Sequence, residues 1–188
     1  MGVYIITGPS GVGKTAVINR LLQLIPNSAR LVSTTTRKSD IDELNSRDYF
    51  FVSHEEFEES INKDEFLEYE DNYGNYYGTS RVRLNELLAN HDDVFIGGID
   101  TRGARSIKKV LPSAITIFLL PDSIDNLRKR LENRQRKDNI EKRLAQAVEK
   151  INQAGDFDYR VINKEGRLNE AVDECLSIIQ KGEVSWKK

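Results

Sequence analysis

The run Gly8-Pro9-Ser10-Gly11-Val12-Gly13-Lys14-Thr15 constrains this chain more than any other feature. It matches G-x-x-x-x-G-K-[ST] in full. Before it stands a short continuous apolar run, Val3-Tyr4-Ile5-Ile6; after it come Val17, Ile18, Leu21, Leu22 and Ile25, closed by Pro26. The first pattern marks a strand buried on both faces, and the second places an apolar stripe along one side of a helix. A strand, a glycine turn and a helix in that order curl the backbone so that successive N–H groups point into one concavity, with the positive end of the helix dipole behind them. Such a cradle suits the phosphates of a nucleoside triphosphate. Gly8, Ser10, Gly11, Val12, Gly13 and Lys14 form it, with Lys14 reaching the β- and γ-phosphates and the Thr15 hydroxyl as the candidate Mg²⁺ ligand.

The rest of the chain repeats the alternation. Two-sided strands are expected at residues 94–96 and 115–120, the latter ending at Pro121, with a last short strand at 161–162. Ile124, Leu127 and Leu131 share a helical face, as do Ile140, Leu144, Val148 and Ile151. Leu168, Ala171, Val172, Cys175, Leu176 and Ile179 pattern a closing helix. Buried strands alternating with helices imply the α/β class, a parallel five-stranded core sheet flanked by helices. Residues 33–80 break the rhythm, being rich in Thr, Tyr, Phe and carboxylates. A helix is expected from Ser53, where Ser53 and Glu56 have capping-box spacing, with short antiparallel strands at 49–52, 68–69 and 76–77. The division expected is a core of residues 1–32 and 81–188, with a lid at about 134–143, and an inserted substrate module of residues 33–80.

Composition narrows the function. With 28 basic and 30 acidic residues among 188, the net charge is −2 and no global positive field recruits nucleic acid or anionic lipid. One cysteine excludes an internal disulfide framework and a multi-cysteine zinc site. No apolar run approaches the roughly 20 residues of a membrane helix, and the N-terminal residues lack the pattern of a secretory signal. A cytoplasmic protein, free of membrane and nucleic acid, is the expectation; monomer and homodimer stay open. His54 and His91 lie near no recognisable catalytic position.

GTPases usually carry an N-K-x-D base reader; here Asn163-Lys164 is followed by Glu165-Gly166. A small-molecule kinase fits better, and several further strings agree. Ser33-Thr34-Thr35-Thr36-Arg37, Asp48-Tyr49-Phe50-Phe51-Val52, Phe66-Leu67-Glu68-Tyr69, Gly74-Asn75-Tyr76-Tyr77-Gly78-Thr79 and Phe157-Asp158-Tyr159-Arg160-Val161-Ile162-Asn163 occur in one order along nearly the whole chain. In these the chain resembles the guanylate kinase family of P-loop nucleoside monophosphate kinases. The resemblance implies a transferase moving the γ-phosphoryl of ATP, with Mg²⁺, to GMP or dGMP. It implies that Glu68 reads guanine, whose N1–H and N2–H₂ form adjacent donors that one carboxylate accepts together, with Ser33 and Thr79 adding hydroxyl contacts. Arg37, Tyr49 and Tyr77 would hold the acceptor phosphate. Asn163 joins the triphosphate-binding set, and Arg130, Arg134 and Arg143 would clamp the triphosphate on lid closure.

The chain departs from the family pattern in four places. Asp40 stands where a second phosphate-binding arginine is usual, with Lys38 and Arg47 as substitutes. Gly98-Ile99-Asp100-Thr101-Arg102-Gly103 replaces D-I-D-x-Q-G, leaving Asp100 as a partner for magnesium-bound water or for Arg37. The lid after Arg134 lacks its usual G-T-[ED] opening, and Ser46 replaces a turn glycine. Two alternatives therefore stay open: a kinase of another small phosphate ester, such as a ribose bisphosphate, and a non-catalytic binding module.

Overall fold

The computed structural model describes residues 2–39, 44–46, 49–72, 74–132 and 140–186. Asp40, Arg47, Asp48, Arg134 and the lid residues up to 139 lie outside this set.

The core is a five-stranded parallel sheet. Its strands are β1 (Gly2–Thr7), β2 (Ser28–Leu31), β7 (Asp93–Gly97), β8 (Ile115–Pro121) and β9 (Tyr159–Asn163), in the spatial order β2-β7-β1-β8-β9. Burial on both faces follows from the two-residue side-chain period. From β1, Tyr4 and Ile6 turn toward α1 (Lys14–Leu24) and α7 (Leu168–Trp186), joined by Phe95, Ile117 and Leu119 of the neighbouring strands. Val3 and Ile5 turn the other way with Val94, Ile96 and Phe118, toward α3 (Arg81–Asn90) and α4 (Thr101–Val110). Cys175 is buried in the α7 layer, which pushes its thiol up to about 12 and leaves it unreactive. A satellite cluster of Leu127, Leu131, Leu144 and Ala147 joins α5 (Ile124–Glu132) to α6 (Ile140–Asn152), and Arg128 pairs with Glu141 across the same two helices. Among the described residues, no helix is long and apolar enough to cross a membrane.

The polar middle segment builds a second, four-stranded sheet in the order β4-β3-β6-β5, from β3 (Thr34–Thr35), β4 (Phe50–Phe51), β5 (Phe66–Asn72) and β6 (Asn75–Ser80). Its buried side is aromatic. Phe57 of α2 (His54–Asn62) stacks on Phe66 at 4.4 Å and on Tyr76 at 5.2 Å. The expected capping box is present: Ser53 Oγ accepts from Glu56 N at 3.1 Å and Glu56 Oε2 accepts from Ser53 N at 2.7 Å. A joint between the two sheets is made by Arg83 of α3, which donates to Thr34 Oγ1 at 2.8 Å and lies 3.5 Å over the Phe50 ring.

One reading needs correction, and the structure adds to two others. The strand expected at 49–52 is β4, and it runs parallel, not antiparallel, to β3. The reason is the 14-residue connection 36–49, long enough to bring the chain back in the same direction, as a parallel pair requires. Helices α3 and α4 escaped the sequence reading because their stripes are short and interrupted by charge, Leu84 being the one buried apolar residue of α3. The closing helix, to which the sequence reading assigned no end, runs from Leu168 to Trp186.

Candidate active site

One cleft of roughly 670 Å³ opens at the carboxyl ends of β1 and β7, where the chain crosses from the core sheet to the second sheet. Its volume is in the range of small-molecule sites. Open parallel sheets place ligands beyond the carboxyl ends of their strands, and the two sheets give this cleft two chemically different ends.

The donor end is made of backbone. Gly8, Gly11 and Gly13 all have positive φ, between +84° and +141°. A side chain at Gly13 would be strained at φ +100° and would place its Cβ 2.4 Å from Asn163 Nδ2. Gly13 is also the N-cap of α1, and no side chain caps that helix, so its first N–H groups face the cleft. Lys14 Nζ donates to the carbonyls of Gly8 at 2.8 Å and Pro9 at 2.9 Å, which holds its ammonium over the loop. Ser10 and Thr15 line the same end, and Arg143 Nη2 donates to Ser10 Oγ at 2.8 Å.

The loop is braced from behind by two residues read from the sequence as ligand-binding. Buried Asn163 donates through Nδ2 to Val12 O at 2.8 Å. Arg130 donates to Val12 O at 3.3 Å, to Asn163 O at 3.1 Å and to Glu165 Oε2 at 2.6 Å. Neither lines the cleft, and Val12 is fully buried. These three shape the cradle without facing it.

The acceptor end is made of side chains. Glu68 and Glu70 are alternate residues of β5, so both present to the cleft, while Tyr69 between them turns to the aromatic side against Phe57 and Phe66. Thr79 Oγ1, opposite Glu68 in the β5–β6 register, donates to Glu68 Oε1 at 2.6 Å. Burial pushes the Glu68 carboxyl up to about 7. The Thr79 hydroxyl opposes that rise, and the negative charges of Glu70 and Asp100 add to it. Room for Glu68 is made by Gly103 of α4, where a Cβ would sit 2.9 Å from Glu68 Oε2. Ser33 lines the cleft almost fully buried, and its Oγ has no hydrogen-bond partner among the described residues. Tyr49 and Tyr77 meet edge to face at 6.1 Å on the cleft wall. Arg37 lies beside them, 5.5 Å over the Tyr49 ring, donating to Lys38 O at 2.7 Å.

Asp100 has a different setting from the one its sequence position suggested. It caps α4, accepting from Arg102 N at 2.8 Å and Gly103 N at 3.0 Å. Its second oxygen is 3.6 Å from Arg102 Nε and 3.9 Å from Lys150 Nζ, so its cationic partners are these two rather than Arg37. Glu70 and Lys150 were absent from the sequence reading, and Arg102 and Gly103 stood there only as members of the string that replaces D-I-D-x-Q-G, without a role. Glu70 had a visible signal, its two-residue step from Glu68 on one strand. Lys150 had none: it reaches the cleft only because α6 lies across it, with Arg143 two turns earlier on the same face.

A cradle of amide hydrogens at one end and a half-buried carboxylate bonded to a buried threonine at the other is the layout of a kinase acting on a small phosphorylated acceptor. The guanylate kinase family model matches residues 1–182. This chain belongs to the guanylate kinase family. It is 44% identical over 180 residues to the guanylate kinase of Nitrosomonas europaea, covering 95% of this chain and 88% of that protein. It is 41% identical over 182 residues to that of Escherichia coli K12, covering 95% and 86%. Among solved structures, guanylate kinase from Anaplasma phagocytophilum superposes with a TM-score of 0.75 at 27% identity, covering 96% of this chain and 85% of that one. With the family established, the interaction-module alternative loses its footing. The P-loop is complete, and proteins named guanylate kinase match 95% of this chain.

Proposed function

We propose that this guanylate kinase family member transfers the γ-phosphoryl group of ATP to GMP, forming ADP and GDP by direct in-line attack of the acceptor phosphate oxygen. The observation that carries this reading is the Glu68–Thr79 pair, a purine-sensing carboxylate, in the same cleft as the P-loop amides. Residues 33–80 act as the acceptor module, and residues 1–32 with 81–188 as the donor core, its lid at about 134–143.

Ionised Glu68 accepts the guanine N1–H and N2–H₂, and Ser33 Oγ is placed to bond the same ring. Adenine presents no such donor pair and would leave a buried charge unmatched. Arg37, Tyr49 and Tyr77 hold the acceptor phosphate, the guanidinium by a two-pronged contact and the phenols by O–H donation. The P-loop amides and Lys14 hold the donor's β- and γ-phosphates, and Arg143, already at Ser10, brings a further positive charge to the transferring group. Arg130 and Asn163 act through the loop they brace.

Among the described residues, no group of three or more His, Cys, Asp or Glu is arranged to hold a metal ion. The donors on hand are oxygens, the Thr15 hydroxyl in the cleft and Asp100 nearby, which fits a Mg²⁺ ion that arrives bound to the triphosphate. When bound, that ion neutralises charge on the β- and γ-phosphates.

The test is ADP release with MgATP against GMP, AMP, UMP and ribose 1,5-bisphosphate. GMP is expected to dominate. Ribose bisphosphate as the preferred acceptor would refute the base-reading role of Glu68, and no acceptor-dependent release would refute the activity.

A further inference from the structure

We infer that Glu70 is a second reading group of the acceptor end: it accepts a hydrogen bond from the ribose 2′-hydroxyl and makes the protein prefer GMP to dGMP. This rests on the GMP reading above.

The argument begins with register. Glu68 pairs with Thr79 across β5 and β6, and Glu70 pairs with Tyr77. The two carboxylates face the cleft about 7 Å apart along the strand. With guanine at the Glu68–Thr79 row and the acceptor phosphate at Tyr77 and Tyr49, the nucleotide runs along the sheet from one row to the next. The sugar joins base to phosphate, so it crosses the interval bounded on the β5 side by Glu70.

Chemistry narrows what Glu70 can bind there. A carboxylate repels the phosphates, and the adjacent donors of guanine are already taken by Glu68. The sugar hydroxyls are the donors that remain. Glu70 is prepared to accept one. Arg102 Nη2 donates to its Oε2 at 3.1 Å, while Oε1 has no hydrogen-bond partner among the described residues. The Glu70 side chain is 22% exposed and Arg102 is 71% exposed, so the arginine braces the carboxylate from the solvent side and leaves its inner face to the cleft. Arg102 also lies 3.6 Å from Asp100, which offsets the negative charge gathered by three carboxylates at one wall. Burial and Asp100 raise the Glu70 carboxyl above its ordinary value against the pull of Arg102 and Lys150, as expected of a group enclosed by the cleft.

The decisive measurement is kcat/KM for GMP and dGMP, with saturating MgATP, in the wild type, Glu70→Ala and Glu70→Gln. The wild type is expected to favour GMP by about tenfold, the lower end of what a hydrogen bond to a charged group is worth. Glu70→Ala should lower GMP use by about that factor while leaving dGMP within about twofold, so that the ratio collapses; Glu70→Gln, which keeps an acceptor oxygen, should retain part of it. A brace that only held the wall in place would lower both nucleotides together and leave the ratio unchanged, and that result overturns the proposal. Equal use of GMP and dGMP by the wild type overturns it too, while leaving the guanylate reading intact. If neither nucleotide is phosphorylated, the guanylate reading falls and this proposal with it.

Discussion

The two ends of the cleft solve the same problem, holding an anion, by opposite means. The donor end uses main-chain amides fixed by glycines, and it is locked from behind by Asn163 and Arg130, which bond to Val12 O. Its positive character comes from peptide dipoles, Lys14 and Arg143, so it does not depend on a titrating carboxylate. The acceptor end uses side chains on a sheet surface, and its decisive group, Glu68, sits near neutrality between charged and uncharged forms. A backbone cradle is selective for a shape that every nucleoside triphosphate shares. A side-chain wall is selective for one base, at the cost of depending on pH and on each neighbour's charge.

That contrast can be broken most forcefully at Lys14. Lys14→Ala should lower phosphoryl transfer by about a thousandfold or more while far-UV circular dichroism and the melting temperature stay near wild type. Turnover within tenfold of wild type would mean that the amides alone suffice. Next in size, Glu68→Gln should cut the GMP-over-AMP preference by about a hundredfold, read as a ratio of kcat/KM values. An unchanged ratio would place base reading elsewhere.

The pH dependence sharpens the comparison further. On the proposed reading guanine is bound by ionised Glu68, whose carboxyl lies at about 7, so KM for GMP should rise about tenfold per pH unit below 7 while KM for ATP stays flat. The same group has a stability signature. Its folded value lies above the ordinary 4.5, so the folded protein holds the proton more tightly than the unfolded chain. Stability should therefore fall as pH rises from about 4.5 to 7, and Glu68→Gln should remove that slope in melting curves. The smallest effect is in the frame of the acceptor module: Ser53→Ala removes one half of a capping box and should cost about 1 kcal/mol in denaturant unfolding.

What was legible in the sequence follows the same division. The P-loop could be read because its function is fixed by consecutive residues in one turn, and the buried strands because continuous apolar runs have few other uses. Glu68 and Thr79 could be named only through the family resemblance; as isolated residues they are a strand carboxylate and a threonine. Glu70, Arg102 and Lys150 come from three elements, β5, α4 and α6, and meet only after the sheets have formed. No spacing along the chain encodes that meeting. The parallel direction of β4 was hidden for a related reason, since a two-residue strand carries no signal of its orientation and only the length of the connection decides it.

Helix α6 carries Arg143 against Ser10 and, two turns later on the same face, Lys150 toward Asp100. A stiff rod touching both reactant seats ties them mechanically. Because both cations stand on one helix, the two seats share a single rigid support rather than two separate ones.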